Sequence, residues 1–191
     1  MLADTSVRTE FSEHAQALGV LADLVPTGGV ARWVDAWLGS RDLARATIYF
    51  SFYTMEALRR AGRGEALHAR FQLWRDVLAT GLLTMPEAPE PTRSDCHGWS
   101  AHVRWHLAAS VAGVRPSAPG FARVEIAPLF GELHVIDAEV RHPRGMVRVS
   151  LRRAGDRLIG HVILPEGVEG ELCWNGRLRV LPGGSNRLDE F

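Results

Sequence analysis

Two glutamates, Glu87 and Glu90, lie on a short segment that also holds Pro86, Pro89 and Pro91, and His97 and Trp99 follow soon after. Carboxylates facing one another across a cleft can do general acid and base work. An imidazole beside them can donate or accept a hydrogen bond, depending on its tautomer. On residue type alone, however, Glu87 and Glu90 read as solvated surface carboxylates and His97 as a structural residue in the first turn of a helix. Trp99 reads as core packing and Asp95 as a helix cap. His102 and His106 stand four apart, a spacing that can bind zinc. The residues between them, Val103, Arg104 and Trp105, lack the glutamate of the metalloprotease pattern, so no metal is expected. Cys96 precedes His97, but adjacency in sequence is not catalytic geometry. His14 follows a capping position and reads as structural, with a pocket-lining role as the alternative.

The elements that must position these residues fall into two regions of different period. Up to about Val114 the pattern is helical. Ser12-Glu13-His14 opens an apolar segment that ends before Pro26, and Val30 to Leu38 forms a short helix whose Trp33 and Trp37 are core. From Arg41-Asp42, the series Leu43, Ala46, Thr47, Phe50, Tyr53, Thr54, Ala57 and Leu58 recurs at helical spacing. Gly62 and Gly64 bracket a turn, after which Leu67, Phe71, Trp74, Val77 and Leu78 predict another helix, closed by Gly81. The prolines exclude a regular helix over Leu82 to Arg93. Ser94 or Asp95 then caps a helix from about His97 to Ala112.

Beyond Gly120 the period becomes two. Phe121–Ile126, Leu133–Val140, Met146–Leu151, Leu158–Leu164 and Glu171–Trp174 read as short strands separated by turns. Asn175-Gly176, between Leu172-Cys173-Trp174 and Leu178-Arg179-Val180, is a strong hairpin signal. Strands at this spacing predict an antiparallel sandwich. The chain is therefore an α+β two-part molecule, divided at residues 1–116 and 117–191.

Composition bounds the function. Lys and Arg total 22 in 191 residues and are balanced by 22 Asp and Glu, so the formal net charge is zero. That argues against nucleic acid as a partner. No apolar run approaches the roughly 20 residues needed to cross a bilayer. The N-terminus lacks the charged and apolar regions of a signal peptide, which makes the cytoplasm the expected location. Two cysteines, Cys96 and Cys173, do not make a disulfide framework. No cofactor is indicated.

Two stretches carry a family resemblance. One runs Thr84-Met85-Pro86-Glu87, then Pro89-Glu90-Pro91-Thr92-Arg93-Ser94-Asp95-Cys96-His97-Gly98-Trp99-Ser100-Ala101-His102. The other comprises Gly113-Val114-Arg115-Pro116, Pro119-Gly120-Phe121, Val124, Ile126-Ala127-Pro128 and His142-Pro143-Arg144-Gly145. Together they resemble the C-terminal portion of bacterial α-L-rhamnosidases. Ser12 to Gln16 and Tyr49 to Tyr53 fit the same family's barrel helices, whereas Val103 stands where that family usually has proline.

The resemblance implies an incomplete (α/α)6 six-hairpin barrel followed by an antiparallel β-sandwich. It implies descent from enzymes that hydrolyse terminal α-L-rhamnosides with inversion, using two carboxyl groups roughly 6.5–9.5 Å apart. Glu87 falls where the family's general base lies, and His97 matches a family histidine that faces the pocket for a rhamnose-containing carbohydrate or glycoside. Beside them, Trp99 can present an apolar face to the sugar ring, and His14 is a further candidate to line the pocket. The general acid and the acidic cluster that grips the sugar have no match here, so the chain alone is expected to be inactive. A non-catalytic carbohydrate-binding or interaction remnant, and one half of a split enzyme, are the rival expectations. Helices deprived of their barrel neighbours imply self-association or a partner that supplies the missing N-terminal half.

Overall fold

The computed structural model describes residues 1–7, 10–89, 91–189 and 191. They form two compact units, Met1–Arg104 and Trp105–Phe191. The first is helical, and the second carries two four-stranded sheets.

The helical unit begins with α1 (Glu13–Leu21). Ser12 caps it, its hydroxyl accepting from the Ala15 amide at 3.2 Å. That bond satisfies one of the free amides at a helix start. α2 (Val30–Leu38) buries Val34 and Trp37 completely, with Trp33 half-buried beside Gly19. α3 (Ser51–Arg60) buries Thr54, Met55, Ala57 and Leu58. Gly62, at φ +68°, makes the turn into α4 (Gly64–Arg70), where glycine avoids the left-handed penalty. Phe71 separates α4 from α5 (Gln72–Ala79), so the single helix expected over these residues is two. Leu67, Phe71, Trp74 and Val77 still share the buried side across the break, whereas Leu78 is exposed.

The helix expected from Arg41 onward starts only at Ser51. The backbone before it has other partners: the Ala44 amide donates to the Phe11 carbonyl at 3.0 Å, and the Glu13 amide donates to the Ala44 carbonyl at 2.9 Å. The Ala46 amide donates to the Glu13 carboxylate at 2.9 Å. A segment whose polar groups are satisfied this way gains nothing by coiling. Of the expected series before Ser51, Leu43 is buried and Ala46, Thr47 and Phe50 are half-buried, so the spacing there reflects burial rather than a helix.

The helix expected from His97 to Ala112 is likewise irregular. A 3-10 turn at Gly98–His102 leads to α6 (Val103–His106) and a π-helical turn at Leu107–Val111. His97 occupies the N-cap position without a side-chain cap bond, so neither Ser94 nor Asp95 is the cap.

In the second unit, β1 (Val114–Pro116), β2 (Arg123–Ile126), β6 (Glu169–Trp174) and β7 (Arg177–Leu181) form one sheet in the order β1-β2-β6-β7. The other contains β3 (Val135–His142), β4 (Gly145–Ala154), β5 (Arg157–Leu164) and β8 (Gly184–Leu188), in the order β3-β4-β5-β8. The latter is antiparallel throughout, with Ile136 opposite Leu151 and Val149 opposite Val162. The former is not: β2 pairs parallel to β6, with Val124 opposite Gly170 and Ile126 opposite Leu172. This corrects the antiparallel expectation. Parallel neighbours need a long crossover, and β3, β4 and β5 supply it. β1 and β8 carry no alternating apolar signal, and the sequence does not announce them. Val124, Ile126, Val147, Leu151, Leu158, Val162, Leu172, Leu181 and Leu188 make the core. The Asn175-Gly176 hairpin forms as expected, with φ +47° and +75°, the pair of positive values that a mirror-image turn requires.

Candidate functional site

The proline-rich loop of the helical unit is closed at its base by backbone bonds. The His97 amide donates to the Met85 carbonyl at 2.6 Å, and the Glu87 amide donates to the Ser94 carbonyl at 2.9 Å. Thr84 adds a hydroxyl bond to the Asp95 carbonyl. These ties, with Pro86 buried, fix where Glu87 and His97 leave the main chain.

Glu87 is largely shielded, with its side chain 16% exposed. Both carboxylate oxygens accept from Arg93, the Nε bond measuring 2.9 Å. The pair holds the Arg93 guanidinium above its usual pKa through that hydrogen bond and the neighbouring charge. Each oxygen keeps a lone pair that can accept from a water molecule. Arg93 is 83% exposed, so solvent and salt screen the pair and it holds Glu87 only weakly. Glu90 lies outside the described residues.

His97 and His14 belong to one aromatic cluster. The His97 ring lies 5.6 Å from Tyr49, Tyr49 is 6.2 Å from Phe50, and Phe50 is 4.1 Å from His14. Tyr53 extends the cluster, 5.0 Å from Phe50. Residues 49–53 thus join α1 to the loop. The reading of Trp99 as core packing is overturned: the ring is 75% exposed, held outward on the 3-10 turn.

His102 and His106 each have local work. His102 Nε2 bonds the Ile48 carbonyl at 3.0 Å, with the Ser51 hydroxyl at 3.2 Å and Trp74 stacked edge-on at 4.9 Å. Burial lowers its pKa against the opposing pull of the Ile48 carbonyl. In the second unit His106 Nδ1 bonds Ser110 Oγ at 3.0 Å. Among the described residues no group of three His, Cys, Asp or Glu could hold a metal ion. Both cysteines are free thiols, Cys96 exposed. No helix among these residues is long and apolar enough to cross a membrane.

One charged group went unnoticed in the sequence. Glu13 is fully buried at the start of α1, where its carboxylate accepts from Arg70, from Arg45 at 2.8 Å and from the Ala46 amide. Burial pushes its pKa up, but the guanidiniums and the amide together bring it below the ordinary value. In sequence it looks like any acid in a first turn, because its arginines are remote.

Residues 113–187 match the family model of the bacterial alpha-L-rhamnosidase C-terminal domain. The chain resembles the C-terminal part of an α-L-rhamnosidase. Solved structures extend the likeness into the helical unit. A GH78 family rhamnosidase of Bacillus sp. GL1 is 22% identical, with a TM-score of 0.69 over 86% of this chain and 19% of its own. The α-L-rhamnosidase of Aspergillus terreus is 16% identical, with a TM-score of 0.76 over 94% and 24%. That of Streptomyces avermitilis, solved with L-rhamnose, is 18% identical, with a TM-score of 0.71 over 91% and 21%. The rhamnosidase-like chain therefore spans between 19% and 24% of these three structures. No curated protein matches the sequence.

Proposed function

We propose that this chain is the C-terminal part of an α-L-rhamnosidase-like glycoside hydrolase, with the last helices of an (α/α)6 barrel followed by a β-sandwich. The supporting observation is a likeness that runs through helices and sheets alike, over 86% to 94% of the chain. Glu87 is the general base, borne on a loop braced by backbone bonds and prolines, since a misplacement of about 1 Å can cost on the order of 10²-fold. His97 and His14 meet the sugar's hydroxyls, and the exposed Trp99 offers its ring to a sugar face. Hydrolysis needs a second carboxyl group to protonate the leaving oxygen. That group comes from the rest of the barrel, on the same polypeptide or on a partner chain, so residues 1–191 alone turn over nothing. Solution within the cytoplasm suits the free thiols.

The test is complementation. Adding the missing hairpins of a related enzyme, fused or as a separate chain, restores hydrolysis of an aryl α-L-rhamnoside with inversion at the anomeric carbon. In that enzyme Glu87→Gln lowers kcat by about 10²–10⁴-fold with little change in substrate affinity, and Glu90→Gln changes little. Near-normal turnover by Glu87→Gln would remove the assignment.

A further inference from the structure

We propose that the cleft beside the Glu87 loop is a subsite for the carboxylate of an acidic sugar. This deepens the glycosidase reading by naming a substrate class and rests on it for the meaning of the site.

The cleft encloses about 390 Å³ and is lined by Arg45, Thr47, Arg70, Leu73, Ala88 and Pro89. Its volume lies within the range of about 300–1,000 Å³ usual for small-ligand sites. Two of its walls continue directly from Glu87 in sequence.

Charge decides the ligand. Among the described residues Glu13 is the single carboxylate bound to the two arginines, and Arg70 places both terminal nitrogens on it. Arg45 shares only one, its other donors have no partner among the described residues, and its side chain is 56% exposed. With Glu13 ionised, the group keeps a net charge of about +1, since a guanidinium does not deprotonate in proteins. No described residue lining the cleft neutralises that charge. A guanidinium matches a planar carboxylate in two parallel bonds, a fit that a point charge lacks.

The remaining walls suit a sugar ring. Leu73, Ala88 and Pro89 are apolar and can cover its C–H face. Thr47 has a shielded hydroxyl without a partner among the described residues. Rotation about χ1 exchanges its methyl and hydroxyl and turns a donor toward the ligand.

The experiment is titration calorimetry on the full chain with D-glucuronate. D-glucose serves as the neutral twin and sulfate as an anion without a sugar. Glucuronate is expected to bind at least 10-fold more tightly than either, with an affinity that falls as salt rises. Arg45→Gln is expected to weaken glucuronate at least 5-fold with an unchanged far-ultraviolet dichroism spectrum, Arg45→Lys is expected to recover part of the loss, and Thr47→Val to weaken it less than Arg45→Gln. The proposal is overturned if glucuronate gives no heat, if sulfate or glucose binds as tightly, or if Arg45→Gln leaves the affinity unchanged. Should Arg45→Gln fail to fold, Arg45→Lys decides, because equal glucuronate binding by that variant removes the two-bond recognition. Binding is read without hydrolysis, so its failure leaves the Glu87 assignment standing. Conversely, a Glu87→Gln enzyme that stays active leaves this subsite intact.

Discussion

The two units solve burial by opposite means. In Trp105–Phe191, ladders run between neighbouring strands and the core is aliphatic, with Ile126, Leu151, Leu158, Leu172 and Leu188 wholly or almost wholly covered. In Met1–Arg104, buried polar groups do much of the joining. Glu13 anchors two arginines, Gln16 bonds the Leu2 backbone in both directions, and His102 ties to Ile48. The indole N–H groups of Trp33 and Trp37 are buried without partners among the described residues, while Leu24, Leu78, Leu83 and Trp99 are exposed. A unit of the first kind is closed by its own strands. One of the second kind is specific but less complete, because an unpaired buried donor costs about 1–3 kcal/mol.

The comparison breaks most sharply if the units are made separately. Residues 105–191 are expected to unfold in one cooperative transition, whereas residues 1–104 bind a hydrophobic dye and show a broad, weak one. Starting instead at Gly120 removes β1, and with it the antiparallel edge beside β2, so that piece melts at a lower temperature. Two equally steep transitions in calorimetry would erase the contrast.

Glu13→Gln comes next. It leaves Arg70, 16% exposed, without its counter-charge, and losing one partner of a buried pair costs about 3–5 kcal/mol. Hydrogen exchange is expected to rise through α1 and α3 and not in β3–β5. Gly160→Ala tests the other unit. Gly160 has φ +149°, and an added Cβ would lie 2.0 Å from the Ser150 carbonyl oxygen. Its cost, more than about 1 kcal/mol, is expected in the sheet transition alone under urea.

Acidification gives the smallest effect. His102 has a lowered pKa in the folded chain, so its contribution is complete above about 6.5 and is lost as pH falls toward the folded value. Glu13, also lowered, begins to lose its contribution below about 4.5. Between pH 7.5 and 5.5 the helical unit is expected to lose under about 1.4 kcal/mol for each pH unit. His102→Gln should flatten that slope as read by exchange of the α3 amides, and an unchanged slope would exclude the histidine.

What the sequence revealed follows the same division. Signals carried by adjacent residues were legible: the Ser12 cap, the Val30–Leu38 helix and the Asn175-Gly176 turn. Signals carried by remote partners were not. The series from Leu43 to Phe50 has helical spacing, but Ala44 and Ala46 are tied to Phe11 and Glu13, and β2 is parallel only because β6 arrives beside it. At the candidate site the family resemblance, and not residue type, singled out Glu87 and His97. The Arg93 clamp on Glu87, the outward ring of Trp99 and the Glu13–Arg45–Arg70 cluster depend on three-dimensional neighbours with no local signature.

The β2–β6 pairing also sets an order of assembly. As the chain leaves the ribosome, β3, β4 and β5 can pair as a meander while β2 holds only the three-residue β1. Its other edge stays open until roughly forty more residues have emerged, a delay that long-range strand pairing imposes on folding. A pause in translation just before β6 would therefore leave an adhesive strand on display. Synonymous codons that slow that stretch should lower the yield of soluble protein without changing a single amino acid.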